Sequence, residues 1–373
     1  MARIARPGSP KALLDLNMTC LNKRRFNRLL LTAGVAAVLP GVALGQLPKN
    51  GMPELAAYNG ADRLQRLVAG AKKEGGLTIY TSAQGDDMAP LLAGFEKKYG
   101  VKPTVWRAGS EKVLQRTITE ARGNRYTVDV IETNGPELES LHREKLLQLV
   151  VSPHHANLMP AAVLPHREWI GTRLNVFVQA YNPNLVKKEE LPKSWEDLLN
   201  PRWKGRLGIE QDDQDWLAGM AAELGEAKAV KLFKDMVAAN GMSVRKGHTL
   251  LTQLVVSGEV PLALTVYNYK AQQLKQKGAP IDWLAISTAI ARPNGIGVAR
   301  AAPNPNAALL FYDFELSEEG QQLLAGRDFV PTNTKVQTAL GKLPMRFVNA
   351  ATMLDSGDKW AKLYEEIFTA RNR

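Results

Sequence analysis

The chain has 373 residues, of which 45% are hydrophobic and 23% are charged, and its formal net charge is +11. This composition argues against an intrinsically disordered protein, and the length is sufficient for two lobes that each bury a core. Apart from one segment near the N-terminus, no apolar run reaches the roughly 18 residues that a membrane span requires. The sequence therefore predicts a soluble globular protein.

Residues 1–45 are predicted to form an export signal region. The segment NKRRFNRLLLTAGVAAVLPGVALGQ has a basic flank, an apolar stretch from Leu29 and small residues at Ala43 and Gly45, which predicts cleavage after Gly45. Its KRRF start partly matches a twin-arginine signal, so the Sec and Tat routes both remain open. A membrane anchor is the alternative, but Pro40 and several glycines interrupt the apolar run. We therefore expect a periplasmic protein.

Removal of this region changes the charge and the cysteine content of the chain. Residues 1–45 contain seven basic residues and one acidic residue, so their loss lowers the net charge from +11 to +5. The remaining basic residues are interspersed with acidic ones, which argues against a nucleic-acid-binding stripe. The lone cysteine, Cys20, lies in the same region. The mature chain is therefore expected to have no disulfide, thiolate metal site or cysteine nucleophile.

Short apolar runs alternate with helical periodicity along the mature chain, a pattern typical of α/β proteins with a largely parallel sheet. The segments GLTIYTS, KPTVWRAGS and TVDVIETNG are predicted strands, and each is followed by a predicted helix. Each of these strands ends in small or polar residues, and ligands gather at the carboxyl ends of strands in doubly wound sheets. A second alternation runs from GIEQDDQDW to VPLALTV, and AISTAIARPNGIGVAR is a predicted return strand.

Several segments, taken together and in order, resemble the ferric-iron class of periplasmic solute-binding proteins of ABC importers. They are IYTSAQGDDMAPLLAGFEKKYGVKP, YTVDVIETNG, SWEDLLNPRWKGRLGI, VVSGEVPLALTVYNYKAQQLKQKGAPI and GIGVARAAPNPNAALLFYDFELSEEGQQLLAGRDFVPTN. The resemblance implies a type II, two-lobe periplasmic-binding-protein-like α/β fold with two crossing hinge strands and a ligand in the cleft between the lobes. It also implies a monomer that delivers its ligand to an inner-membrane ABC permease.

The change of pattern near Tyr181 predicts where one lobe gives way to the other. We assign residues 46–180 and 290–340 to lobe 1 and residues 181–289 to lobe 2. Residues 341–373 are predicted to form a C-terminal helical segment that packs on the lobes. Its apolar residues recur at helical spacing: Trp360, Leu363, Tyr364, Ile367 and Phe368.

Ferric iron is one ligand that the cleft is predicted to bind. Iron prefers oxygen donors, and four tyrosines stand at predicted strand ends: Tyr80, Tyr181, Tyr267 and Tyr269. The metal ligands would be Tyr267 and Tyr269. Iron-binding members of the family typically carry two adjacent tyrosines, whereas Asn268 separates the pair here, and a histidine frequently found after the first strand is missing.

A small anion, namely a phosphonate, a phosphate ester or a carboxylate, is the other predicted ligand. Hydroxyl groups and free backbone N–H groups at helix N-termini bind such anions, and an arginine can pair with them. The candidate residues are Thr81, Ser82, Gly109, Ser110, Glu132 and Arg292. Because the tyrosine pattern departs from that of iron-binding members, we favour the anion.

The chain lacks the motifs of the common exported enzymes. No G-x-S-x-G, H-E-x-x-H or P-loop signature is present, so we expect a binding protein and not an enzyme. A periplasmic sensor input would share the same fold. The spacing of His154, His155 and His166 fits no common zinc pattern and no acidic residue completes it, which predicts a surface loop. We expect no resident cofactor, and Fe³⁺ would be a transported ligand.

Overall fold

The computed structural model describes residues 51–369. Its β-strands are β1 (Leu77–Thr81), β2 (Pro103–Arg107), β3 (Val130–Asn134), β4 (Trp169–Tyr181), β5 (Leu207–Glu210), β6 (Ser243–Arg245), β7 (Leu262–Tyr267), β8 (Asp282–Leu284), β9 (Ala289–Val298), β10 (Val330–Pro331) and β11 (Met345–Phe347). The signal region predicted for residues 1–45, including Cys20, lies outside the described residues.

The α-helices alternate with these strands along most of the chain. They are α1 (Met52–Ala57), α2 (Arg63–Glu74), α3 (Gly85–Tyr99), α4 (Ser110–Arg122), α5 (Gly135–Arg143), α6 (Gln214–Leu224), α7 (Glu226–Asn240), α8 (His248–Ser257), α9 (Asn268–Gln276), α10 (Pro305–Leu316), α11 (Glu318–Ala325) and α12 (Ala350–Tyr364). Short 3-10 helices lie in the connections, at Pro153–Asn157, Pro160–Ala162, Lys188–Glu190, Glu196–Leu199, Pro201–Trp203 and Leu340–Lys342. No helix among residues 51–369 is both long enough and apolar enough to cross a membrane.

Local sequence signals account for many of these elements. Helix α3 buries Met88, Leu91 and Phe95, which recur at helical spacing and face the core. Helices α2 and α3 both end at a glycine with positive φ, Gly75 at 70° and Gly100 at 71°, a conformation that side chains with a Cβ disfavour. The chain thus returns to each parallel strand through a short, defined turn.

Strand β4 belongs to two sheets and thereby joins the two lobes. The sheet of lobe 1 has the order β2-β1-β3-β9-β4, and the sheet of lobe 2 has the order β4-β7-β5-β6. Strands β1 to β3 are parallel, as are β5 to β7. Strand β4 runs antiparallel to β9 and β7, and β9 runs antiparallel to β3 and β4 but parallel to the short β11. This arrangement is the predicted α/β architecture with two strands passing between the lobes.

Strand β4 passes from the sheet of lobe 1 to the sheet of lobe 2 partway along its length. Val176 pairs with Ala291 of β9, whereas the next residue, Phe177, pairs with Tyr267 of β7. The sequence pattern changes near Tyr181 because the strand ends there, while the strand enters the second sheet before that point. All residues of β4 are buried, so it runs through the interior of the protein.

The C-terminal segment packs on both lobes. Helix α12 contacts α5 of lobe 1 and α6 of lobe 2, and a π-helical turn follows at Glu365–Thr369. The predicted apolar face is confirmed at Trp360, Tyr364, Ile367 and Phe368, which are buried, and Leu363 is half-buried. The Tyr364 hydroxyl also donates a hydrogen bond to the carbonyl of Glu210 at the end of β5.

Candidate ligand-binding cleft

The floor of the inter-lobe cleft consists of one face of the two hinge strands, β4 and β9. Asn175 lies directly opposite Arg292 in the ladder, and Arg173 lies opposite Asn294. Residues paired in this way, and residues two apart on one strand, project from the same face of a sheet. Phe177 continues that face into lobe 2, and its ring lies 5.3 Å from that of Tyr267. Four of these five side chains are polar although the strands are buried.

Lobe 1 contributes three helix N-termini to one wall of the cleft. Helices α3, α4 and α5 each begin just after β1, β2 or β3, and none of their N-cap residues caps the helix with its side chain. The first N–H groups of these helices therefore lack the side-chain partner that a capped helix supplies, although Pro136 in the first turn of α5 has no N–H to offer. Three helix dipoles point their positive ends at the same edge of the sheet.

Hydroxyl and amide groups connect these N-termini. Ser82, after β1, accepts a hydrogen bond of 3.1 Å from the hydroxyl of Thr133. Asn134 donates to the Ser110 hydroxyl at 2.8 Å and accepts from the amide of Asn294 on the floor at 2.8 Å. The wall of lobe 1 is therefore rich in neutral hydrogen-bonding groups that are linked to the hinge strands.

Lobe 2 presents the carboxyl ends of β5, β6 and β7 to the same space. His248 opens α8 and stacks on the Tyr267 ring with 3.7 Å between centroids. Its Nδ1–H donates to the Thr265 carbonyl at 3.1 Å, and its Nε2 lies 3.1 Å from Oδ1 of Asp213. Burial lowers the pKa of His248, but the Asp213 carboxylate contributes to a larger opposing effect, so the pKa of His248 lies above its ordinary value. The protonated imidazolium is therefore favoured.

Arg292 connects the floor with lobe 2. Its guanidinium donates to Asp215 in the first turn of α6 at 3.0 Å and lies 5.4 Å from the ring centroids of both Phe177 and Tyr267. Burial raises the pKa of Asp215, and Arg292 partly opposes this rise. Glu137 of α5 faces the same guanidinium, and burial raises its pKa to about 7. Carboxyl groups from both lobes thus surround one arginine.

Tyr269 and its neighbours bring lobe 2 against lobe 1. The Tyr269 ring packs 4.3 Å from that of Phe329, and it lies nearly parallel to Tyr267 at 5.9 Å and 15°. Burial and the carboxylate of Asp87 raise the pKa of the Tyr269 phenol above its ordinary value. The amide of Asn268 donates to the carbonyl of Asp328 at 3.2 Å. The two tyrosines therefore stand side by side despite the residue between them.

A family model described as bacterial extracellular solute-binding protein matches residues 128–353, more than half of the chain. The chain belongs to this family. The match begins just before β3 and ends in α12, so it contains both hinge strands and all of lobe 2. Proteins of this family are the substrate-binding components of ABC importers. The predicted family resemblance is therefore confirmed.

Curated relatives of this solute-binding protein are themselves binding proteins. Iron uptake protein A1 of Synechocystis sp. is 26% identical over 284 residues, which cover 70% of this chain and 78% of the relative. The Fe(3+)-binding periplasmic protein of Serratia marcescens is 25% identical over 282 residues, which cover 73% of this chain and 80% of the relative.

Solved structures with the same fold include proteins with different ligands. Iron-bound HitA from Pseudomonas aeruginosa superposes with a TM-score of 0.69 at 23% identity, covering 78% of this chain and 99% of HitA. AfuA from Actinobacillus pleuropneumoniae, with fructose-6-phosphate bound, superposes with a TM-score of 0.68 at 23% identity, covering 79% of this chain and 98% of AfuA. These similarities confirm the two-lobe periplasmic-binding-protein fold.

The structure places the predicted site residues in three groups. Those that lie around the cleft are Ser82, Gly109, Ser110, Tyr267, Tyr269 and Arg292. Thr81 and Glu132 are engaged with each other beneath the lobe 1 wall, since the Thr81 hydroxyl donates to one oxygen of Glu132 and Arg173 donates to the other. Tyr80 and Tyr181 lie elsewhere.

The positions of Tyr80 and Tyr181 follow from strand geometry. The Tyr80 hydroxyl is 2.9 Å from both Glu120 and Thr127, and Thr127 precedes β3, so this hydroxyl points away from the strand carboxyl ends. Tyr181 pairs with Leu262, the first residue of β7, whereas Tyr267 is the last. The two tyrosines therefore stand at opposite ends of the same pair of strands.

Sequence reasoning did not identify Asn175, Asn294, Asp213, His248 or Glu137 as cleft residues. A usable signal existed for Asp213, because it follows the predicted strand at GIE just as Ser82 follows β1, whereas no strand was predicted before His248. The two asparagines carried a different signal, since an isolated amide in a buried strand requires a hydrogen-bonding partner.

A second cluster of histidines and acids lies outside the cleft. Glu139 and His142 of α5 approach His166, and the two imidazole rings stack at 3.8 Å. The expectation that no acidic residue accompanies His166 is wrong, because α5 and β4 pack together and bring Glu139 and Glu168 beside it. His166 Nδ1 accepts the backbone N–H of Glu168 at 3.0 Å, which leaves the proton on Nε2. That nitrogen is then unable to bind a metal, so the cluster does not fit a metal site.

Proposed function

We propose that this protein captures a small organic anion, a phosphate ester, phosphonate or carboxylate, in the inter-lobe cleft and delivers it to an inner-membrane ABC permease. The observation that carries this proposal is the convergence of three helix N-termini without side-chain caps, those of α3, α4 and α5, at one edge of the lobe 1 sheet. Backbone N–H groups at such sites bind oxyanions, and the helix dipoles favour negative charge there.

Side chains around these N-termini support an oxyanion further. The hydroxyls of Ser82 and Ser110 stand beside them, and Arg107 is exposed at the end of β2. Among the carboxyl groups of their first turns, the charge of Asp87 is already compensated by Lys270 and Arg327, and burial raises the pKa of Glu137 to about 7. The AfuA structure, which has the same fold, is described with a sugar phosphate bound.

Ferric iron is the second candidate, and one observation favours it. Tyr267 and Tyr269 lie side by side, and Glu210, Asp213 and His248 bring potential ligand atoms within 4.8 Å of one another beside Tyr267. However, both oxygens of Glu210 accept backbone N–H groups, from Asp212 and Gly247. His248 donates from Nδ1 to the Thr265 carbonyl, and its Nε2 faces Asp213 in an ion pair. We therefore place the anion first.

Native mass spectrometry of the purified protein, followed by thermal unfolding with added probes, tests this proposal. The probes are fructose-6-phosphate, inorganic phosphate and ferric citrate. A ligand that binds only the folded state at one hundred times its Kd stabilises it by about 2.7 kcal/mol, which raises the unfolding midpoint measurably. We expect a phosphate probe to raise the midpoint and the protein to remain colourless with iron.

Two results would favour a different ligand. A visible absorption band that appears with ferric citrate and disappears in Tyr267→Phe or Tyr269→Phe would establish iron bound by phenolate. Stabilisation by a neutral sugar alone would exclude both the anion and the iron.

The remaining parts of the proposal concern the location and state of the protein. We infer export through residues 1–45, a monomer in the periplasm, and no catalytic activity. Mass spectrometry of protein isolated from the periplasm should find an N-terminus at Gln46, and light scattering should give the mass of one chain. An intact N-terminal segment in the membrane fraction would indicate an anchor instead.

A further inference from the structure

The cleft floor and the lobe 2 wall contain more buried acceptors than donors without partners. Among the described residues, acceptor oxygens of the floor and the lobe 2 wall that form no hydrogen bond include Oδ1 of Asn175, Oδ1 of Asn294 and both carboxylate oxygens of Asp213. Oε2 of Glu137, in the first turn of α5 on the lobe 1 wall, is also unbonded. Nε of Arg173 and Nε of Arg292 are the unbonded donors on the same floor. Oδ1 of Asp213 faces Nε2 of His248 in an ion pair, but without hydrogen-bond alignment.

These acceptors belong to one region. Asn175 pairs with Arg292 across the hinge strands, and Asn294 lies two residues along the same face. Arg292 in turn donates to Asp215, two residues after Asp213. The carboxyl groups of Asp213, Asp215 and Glu137 are all close enough to interact electrostatically with it. All three acceptor residues other than Glu137 are at least nine-tenths buried, with Asp213 fully so.

Unbonded buried acceptors require donors, because each has lost its hydrogen bonds to water. The two unbonded Nε–H groups of Arg173 and Arg292 are too few to donate a hydrogen bond to each of these oxygens. The charges do not oppose a donor there, since Asp213 and Asp215 face Arg292 and His248, and Glu137, whose pKa burial raises to about 7, adds a third carboxyl group. A purely anionic ligand would leave this end of the cleft unsatisfied.

We propose that the ligand has two different ends: an oxyanion at the helix N-termini of lobe 1, and an ammonium or hydroxyl group that donates to Asp213, Asn175 and Asn294. This inference rests on the proposed function and narrows it to zwitterionic or hydroxylated anions.

Two matched pairs of probes test this inference by calorimetry on protein stripped of ligand. O-phosphoethanolamine is compared with propyl phosphate, and 4-aminobutyrate with pentanoate; in each pair a methyl group replaces the ammonium. Glycerol 3-phosphate supplies the hydroxyl case. We expect the donor-bearing member of at least one pair to bind at least tenfold more tightly than its methyl partner, without sensitivity to chelators.

Variants identify the acceptor. Asp213→Asn replaces one carboxylate oxygen by a donor and removes the charge, so the preference for the ammonium probe should fall at least fivefold. Asp212→Asn is the matched control, because Asp212 is its exposed neighbour and its carboxylate contacts Lys246 and Gln211 on the surface. Circular dichroism and the unfolding midpoint show whether Asp213→Asn folds. If it does not, Asn175→Leu, which removes the acceptor on the floor at similar volume, replaces it as the test variant.

The outcomes separate the two proposals. Equal affinity within both pairs would overturn the two-ended ligand while the capture of anions stands. Binding that requires a metal ion would overturn it as well, with the acceptors then serving as metal ligands. Failure of every probe, including inorganic phosphate, would overturn both proposals.

Discussion

The buried side chain of Glu315 on α10 lies beside the ion pair between Arg173 and Glu132. Burial and the Glu132 carboxylate raise the pKa of Glu315 to about 8, although Arg173 opposes the rise. At pH 7 the folded protein therefore holds this carboxyl group neutral, whereas the unfolded chain ionises it near the ordinary value of 4.5. Because the folded state binds the proton more tightly, the free energy of unfolding should fall as pH rises from about 4.5 to about 8.

Glu315→Gln should reduce this loss of stability. Glutamine resembles the protonated carboxyl group, so the variant should lose up to about 1.4 kcal/mol less per pH unit across that range. Urea unfolding at pH 5.5 and pH 8.5 measures the difference. Glu318→Gln, at an exposed position at the start of α11, is the control and should keep the wild-type slope. An unchanged slope in Glu315→Gln would show that Glu315 is ionised in the folded protein.

A cluster of hydrogen bonds around Asp87 connects the two lobes in this structure. Asp87 in the first turn of α3 accepts Lys270 at 2.5 Å and Gln273 at 3.1 Å, both from α9 of lobe 2, and Arg327 at 3.0 Å. Burial raises the pKa of Asp87, but the bonds to Lys270 and Arg327 lower it more, so the carboxylate is charged. The carboxyl group therefore forms a charged contact between α3 of lobe 1 and α9 of lobe 2, which we expect to break when the lobes open.

Asp87→Asn should weaken closure. Loss of charged hydrogen bonds worth about 2 kcal/mol would reduce the population of the closed state about thirtyfold relative to the open state. Faster ligand dissociation in stopped-flow experiments, together with weaker affinity, is the expected result. Lys98→Met removes an exposed ion pair with Glu319 inside lobe 1 and should leave both quantities unchanged. Equal dissociation rates in all three proteins would argue against a role for Asp87 in closure.

At the scale of the whole molecule, β4 pairs in both sheets, β9 follows β8 and carries the chain from lobe 2 back into the sheet of lobe 1, and α12 packs against both lobes. Few strands at a crossing permit the lobes to rotate as rigid bodies, which is the usual motion around a ligand held in such a cleft. Small-angle scattering should therefore show a smaller radius of gyration when the probe with the largest thermal shift saturates the protein. An identical scattering curve with and without that probe would contradict hinge closure.

The sequence by itself determined many of the elements and indicated the edge at which we propose that the ligand binds. Apolar periodicity marked β1, β2 and β3, and their polar ends identified Ser82 and Ser110, because both signals depend only on neighbours along the chain. The same reasoning placed Tyr267 at the end of a strand. It also carried the family resemblance, since the motifs are local segments in a fixed order.

Only the tertiary structure decided which polar groups meet. Asn175 and Asn294 are 119 positions apart along the sequence, and the antiparallel pairing of β4 with β9 puts them on one face. The direction of the Tyr80 hydroxyl depends on Glu120 and Thr127, and the charge of His248 depends on Asp213. Strand pairing and burial set these contacts, and neither is encoded in the spacing of residues within a single segment. The acceptors of the cleft floor therefore became visible only once the two lobes were assembled around β4 and β9.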